Sequence, residues 1–244
     1  MKKLITLFLA LLMLIPSAAL GDVLADGWEG ATLDELQDAQ LQISNRISDM
    51  RAAAAADVER VELTGTGTSI LSDVVIPFAP SRVILQCEGD ATAKLTGGAY
   101  DYTFTASGYD ASFFDKTGTF GLLVEGAGAW SFTVEPIMDG GTLPMSGTGP
   151  YVSDFFDLPA PMIVTIAADK GDMTAMLSNV IFQLHNQMKN MDLWGADTLS
   201  NAMISGSSEP VSLDVILQPV EGRTQYCISV NVKPGVSWSV TPKN

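Results

Sequence analysis

Histidine and cysteine are nearly missing from this chain, which has one histidine, His185, and two cysteines, Cys87 and Cys227, among 244 residues. One histidine and two distant cysteines cannot build the usual zinc sites, which take several such ligands. His185 is also the sole imidazole for any Ser-His-Asp arrangement, and no Gly-x-Ser-x-Gly elbow precedes it. Its setting reads as a surface or edge-strand position. Two cysteines in so long a chain are no disulfide framework. Each lies in an apolar alternating run, which favours two buried free thiols over an inter-domain bridge. Basic residues are scarce as well: 13 Lys and Arg stand against 28 Asp and Glu, a net charge of −15. That balance repels nucleic acid and anionic membrane surfaces. Gly65-Thr66-Gly67-Thr68-Ser69 lacks the lysine of a phosphate-binding loop.

The first 21 residues read as a secretory signal peptide. Lys2 and Lys3 form its basic start, Leu4 to Ile15 its apolar core, and Ala19-Leu20-Gly21 its cleavage region. The apolar stretch is well short of the ~20 residues of a spanning helix. No later segment is apolar enough to cross a membrane, so no membrane insertion is expected after cleavage. The expected location is secreted, extracellular or at the cell surface, or periplasmic if the source has an outer membrane.

What the chain does have is a repeat. Gly65-Thr66-Gly67, Ser72-Asp73 and Ala79-Pro80 return in order as Gly147-Thr148-Gly149, Ser153-Asp154 and Ala160-Pro161. Each copy closes alike, with Trp130-Ser131-Phe132-Thr133-Val134-Glu135-Pro136 and Trp238-Ser239-Val240-Thr241-Pro242. Start and end signatures repeated in order mark two copies of one folding unit. Alternating runs punctuated by Gly and Pro, such as Tyr102-Thr103-Phe104 and Trp130 to Val134, predict short strands. Before them, Thr32 and Glu35 form a capping box, and Leu36, Ile43, Ile47, Met50 and Ala54 follow at helical spacing, roughly six turns. The fold class expected is mainly β: two tandem antiparallel β-sandwich, jelly-roll-like domains after one amphipathic helix. The divisions are 1–21 signal peptide, 22–57 leader and helix, 58–138 first domain and 139–244 second domain. Copy two carries an insertion between about 172 and 211. Within it, residues 173–188 fit either a helix or a strand; the β context favours a strand at Val180 to Leu184, with Met188, Met191 and Trp194 in a following loop.

The motif order resembles accessory β-sandwich modules of exported prokaryotic proteins, of the pre-peptidase C-terminal type, over about three quarters of the chain. The matching residues are Gly65, Gly67, Ser72, Asp73, Gly89, Gly128, Trp130, Phe132, Val134 and Pro136 in copy one. In copy two they are Gly147, Gly149, Ser153, Asp154, Trp238, Val240 and Pro242. Copy two has Val236-Ser237 where copy one has a glycine before its tryptophan. The resemblance implies an accessory, non-catalytic role and transfers no site residues.

Catalytic residues are expected to be none. Carboxylates can do glycosidase chemistry in pairs, but nothing in the sequence selects two. Trp130 and Trp238 read as core. Tyr109, Phe113 and Phe114, if on an exposed loop, are candidate contacts for a ligand or partner, and so are Met188, Met191 and Trp194, because interfaces favour such side chains. Cofactors are expected to be none, with calcium open: Glu88, Asp90, Asp169 and Asp172 end matching strands, and calcium takes turn carboxylates. Gly with Asp is also ordinary turn chemistry. The leading expectation is an exported, non-catalytic binding or adhesion protein contacting glycan or extracellular protein through its loops. The alternatives are a structural surface or spacer protein self-associating through the helix, and a hydrolase using carboxylates.

Overall fold

The repeated Gly-x-Gly and Trp signatures meet across one strand pair in each copy. In copy one, β1 (Val61–Thr66) runs antiparallel to β6 (Ala129–Pro136), with Gly65 opposite Trp130. A Cβ on Gly65 would lie 2.3 Å from the Trp130 ring, so only glycine lets the indole lie flat across the strand. The indole N–H donates to the Gly67 carbonyl at 3.0 Å, and the Gly67 N–H donates to the Gly128 carbonyl at 2.9 Å. In copy two, β7 (Met145–Thr148) and β15 (Ser237–Pro242) place Gly147 opposite Trp238. A Cβ on Gly147 would lie 2.7 Å from that ring. The Trp238 N–H donates to the Gly149 carbonyl at 2.8 Å, and the Gly149 N–H to the Val236 carbonyl at 2.9 Å. The two indoles thus satisfy their polar edge on the same backbone atom of the same motif, while each ring is 4 % exposed. Gly128 and Val236 supply the same carbonyl. Copy one needs glycine there because a Cβ on Gly128 would meet the Glu88 Cβ at 2.6 Å.

The structure is a computed structural model. It describes residues 60–97, 100–170, 177–187, 194–205, 210–221, 223 and 225–243, with Thr32, Asp34, Glu35, Asp38, Ala39 and Gln42. Contacts group the chain into Met1–Ser48 and Asp49–Asn244, and both copies belong to the second unit. The expected signal peptide and most of the expected helix lie outside the described residues, and no whole helix is among them. Asp34, Glu35, Asp38, Ala39 and Gln42 are helical. The expected capping box is formed: Thr32 donates through N and Oγ1 to the Glu35 carboxylate at 2.8 and 2.9 Å, and the Glu35 N–H donates to Thr32 Oγ1 at 3.3 Å. Among the described residues no helix is long and apolar enough to cross a membrane.

The protein is mainly β, built of antiparallel sheets. In copy one, β2 (Ser69–Ile76), β3 (Ser81–Gly97), β4 (Tyr100–Phe114) and β5 (Gly118–Gly126) complete a sheet of order β1-β6-β3-β5-β2, with β4 on β3. Strand β3 changes partner midway. Ser81–Cys87 pairs with β6 and Ala91–Thr96 with β5, and the irregularity between Gln86 and Asp90 sits at the changeover. Glu88 and Asp90 therefore lie inside a bulged strand and not at a strand end. The Ser72-Asp73 motif is a second bulge, on β2 opposite β5, with Asp73 at φ 59. Val83, Leu85, Leu95, Phe104, Leu122, Phe132 and Trp130 fill this copy's core.

In copy two, β8 (Tyr151–Val152), β9 (Phe156–Asp157), β10 (Met162–Asp169), β11 (Leu177–Gln187), β12 (Trp194–Ser205), β13 (Val211–Leu217) and β14 (Gln225–Asn231) join β7 and β15. They make a sheet of order β13-β10-β15-β7 and a sheet of order β12-β11-β14-β8, with β9 on β14. A separate core lies among them, including Val164, Ile166, Phe182, Ile228 and Trp238. The stretch expected to hold the insertion contains β11 and β12. Residues 177–187 are a strand, and Trp194 opens β12 instead of lying in a loop. Met188 and Met191 lie outside the described residues.

Gly65→Ala and Gly147→Ala each force a Cβ into a buried indole. Each is expected to destabilise the protein by about 1–3 kcal/mol, measured by urea unfolding, with the two losses of similar size. A neutral effect at either site would mean that the ring moves freely.

Candidate functional site

The second copy's Ser-Asp motif does a different job from the first. Arg82 on β3 stands opposite Glu135 on β6, and its Nε lies 2.8 Å from the Glu135 carboxylate. Its terminal nitrogens cross to copy two, one donating to the Val152 carbonyl at 2.8 Å and the other to Asp154 Oδ1 at 2.5 Å. Ser153 fixes that aspartate's backbone: its Oγ accepts from the Ile228 N–H at 2.9 Å, and its N–H donates to the Ile228 carbonyl at 2.9 Å. The Arg82 side chain is only 15 % exposed. A guanidinium fork shared by two carboxylates and a carbonyl is the arrangement in which a buried charge is tolerated.

Beside this ion pair the two copies share a small apolar cluster. Ile137, Val152 and Cys227 are buried, with Phe113 and Phe155 packed against them. The Phe113 ring stacks on His185 at 3.9 Å and 14°. Trp194 lies 5.8 Å from Phe113 and stacks on Phe155 at 5.6 Å and 20°. Both cysteines are free thiols. Cys227 is buried, and burial pushes its thiol up, against Arg82, which lowers it. Cys87 is only half-buried, because it sits at the β3 changeover, where its thiol donates to the Gly89 carbonyl at 3.2 Å.

His185 overturns its expected surface position. It is 5 % exposed because β11 is an interior strand, between β12 and β14, with copy one packed over it. Its Nε2 lies 2.7 Å from Ser229 Oγ, the spacing of a nucleophile and its base. Both side chains are buried, and burial lowers the His185 pKa to about 4, with Asp115 opposing the shift. At neutral pH the pair is a closed hydrogen bond under the Phe113 ring, with the imidazole a weak base.

Where the copies part, a groove of about 580 Å3 opens between them. On copy one, Glu125, Thr92 and Thr105 lie side by side across β5, β3 and β4. Tyr109 and Asp110 continue this wall. Asn179 on β11 and Asn231 on β14 face it from copy two, followed by Lys233. Burial raises the Tyr109 hydroxyl, partly offset by Arg82. Burial also raises the Asp110 carboxyl, which is held by a 2.8 Å hydrogen bond from Ser112 Oγ.

The sequence candidates therefore separate. Tyr109, Phe113 and Phe114 lie on a strand and not on an exposed loop. Phe114 is 3 % exposed, in copy one's core. Phe113 and Trp194 meet at the junction. Tyr109 and Asp90 meet in the groove. Glu88 accepts from the Ala129 N–H at 3.3 Å. Asp169 ends β10, and Asp172 lies outside the described residues. Among the described residues, no group of three or more His, Cys, Asp and Glu is placed to hold a metal. Asp110, Asn179, Asn231 and Lys233 were missed, since only the packing of separate sheets against each other brings them together.

The His185 pKa in the folded protein, about 4, lies below the ordinary imidazole value of 6.5. Folding thus favours the neutral ring. That contribution is complete above about pH 6.5 and is lost as pH falls toward 4, by at most roughly 3 kcal/mol. Unfolding free energies of wild type and His185→Gln should differ most at neutral pH and converge across this window. A pH-independent difference would contradict the buried neutral imidazole.

No protein-family model matches the chain, and no curated protein matches it. Among solved structures, the chain matches the stem and receptor-binding domain of the spike protein P1 from bacteriophage PM2. That match is 12% identical, covers 76% of this chain and 97% of that one, and has a TM-score of 0.27. A likeness at that level carries no argument about fold or function.

Proposed function

We propose that this is an exported, non-catalytic binding or adhesion protein that contacts glycan or extracellular protein, with its two copies read as sandwich-like modules. The groove between the copies carries this reading. A spacer needs its modules joined, but it needs no shared concave surface lined with hydroxyls, amides and carboxylates. The groove's volume, about 580 Å3, falls within the ~300–1,000 Å3 of small-ligand sites. The enclosure of His185 and Ser229 beneath Phe113 argues against their use as a catalytic pair. Most aromatics that were candidates for contact serve packing instead, which moves the expected contact surface from loops to the groove.

Carboxylate hydrolysis is the second reading, favoured by Asp90, Asp110 and Glu125 lining one groove with the Asp110 carboxyl raised by burial. A buried acid of that kind is what a general acid requires.

Glycan-array and pull-down assays of the purified protein separate these readings. Saturable binding with the ligand recovered intact is expected. Recovery of cleaved glycan would favour the hydrolase. A folded protein that binds neither glycan nor extracellular protein would leave the spacer role.

A further inference from the structure

We infer that the groove between the copies binds a saccharide free of acidic groups, and that Asn231 and Glu125 hold its hydroxyls from opposite walls. This rests on the reading of the protein as a binding protein and names the ligand class of the same site.

The chemistry of the walls makes the selection. Asp90, Asp110 and Glu125 are acceptors when ionised, and they need donors. Sugar hydroxyls project from most ring carbons, and each can donate and accept. Asn179 and Asn231 both donate and accept, and so do the Thr92, Thr105 and Ser107 hydroxyls. A ligand with many hydroxyls in fixed directions pairs with such a surface without leaving either side unsatisfied. The Asp110 carboxyl, raised by burial against hydrogen bonds from Ser112 and the Ala111 backbone, keeps acceptor capacity for a further donor.

Charge narrows the class. Among the described lining residues, Lys233 is the one cation, against three carboxylates. A uronate, sulfate or phosphate on the ligand would bring like charge into a partly desolvated cleft, which costs affinity. The whole chain, at a net −15, repels such polymers before contact.

A protein partner fits less well. Interface hot spots are buried aromatic or arginine anchors in well-packed apolar pockets. Among the described lining residues, the apolar ones are alanine, proline and Val232, and Tyr109 is the one aromatic. Tyr109 is half-buried, so its ring can wall the cleft beside a sugar while its hydroxyl stays in the polar network.

The test is an array of neutral, amino-substituted and acidic glycans probed with the purified protein. Calorimetry then follows with the strongest hit, with tetragalacturonate and with tetralysine, for wild type, Asn231→Ala and Glu125→Gln. Asn231 and Glu125 are exposed, so both variants should keep the wild-type circular dichroism and melting. Hits confined to glycans without carboxylate, sulfate or phosphate, with the best weakened at least tenfold by each variant, are expected. Acidic glycans as the main hits, tetralysine binding in preference to every glycan, or no glycan hit would overturn the inference. Wild-type affinity in both variants would remove the groove while leaving the binding function standing, and an empty array together with an empty pull-down would remove both.

Discussion

The guanidinium of Arg82 is the group on which the arrangement of the two copies depends. It is largely buried, and a buried charge persists only where its donors are met. Asp154 and the Val152 carbonyl accept its terminal N–H groups from copy two, while Glu135 of copy one balances the charge at 2.8 Å without accepting a hydrogen bond from the buried Nε. Removing either copy would strand the charge. That requirement holds β4 against β8 and β14, seats Phe113 on His185, and leaves the groove walls facing each other. The planar fork also explains why arginine stands here: lysine presents a point charge and cannot reach these partners in fixed directions.

The copies are alike in what builds each one and different in what joins them. Trp130 over Gly65 and Trp238 over Gly147 are the same device, down to the glycine carbonyl that receives each indole N–H. Ser72-Asp73 and Ser153-Asp154 are the same dipeptide, yet the first bulges β2 and the second receives Arg82. The β11–β12 pair of copy two supplies His185, Trp194 and Asn179, so the stretch where the copies differ contributes to both junction and groove. An asymmetric use of a repeated scaffold gives one surface where two identical domains would give two.

Much of the scaffold was legible in the sequence. Trp130 to Val134 shows a clear pattern because Trp130, Phe132 and Val134 pack on copy one's core while Ser131 and Thr133 point to the other, less buried face. The paired Gly-x-Gly and Trp motifs announced the repeat, though not that the ring lies on the glycine. The junction was not legible, and the reason is physical. β14 is buried from Tyr226 through Val230, with Tyr226, Ile228 and Val230 in copy two's core and Cys227 in the shared cluster. Leu184, His185 and Asn186 on β11 are likewise buried in succession. Burial on both faces erases the alternation that marks an edge, so His185 read as a surface residue. Arg82 and Asp154 carry no periodic signal, and neither do Asn179 and Asn231. β12 was missed because its inward positions are sparse, with Leu199 and Ile204 the apolar residues packed on the core, and its pairing with β11 is interrupted at Phe182/Gln183.

The central claim is that an ion pair joins the two repeated copies into one body. A double-mutant cycle on Arg82→Gln and Asp154→Asn, read by urea unfolding, tests it most directly. Coupling on the order of 1 kcal/mol or more is the predicted result, since both side chains share one partly buried network. Additivity of the two substitutions within about 0.3–0.5 kcal/mol would mean that the pair does not couple the copies, and the account would fail.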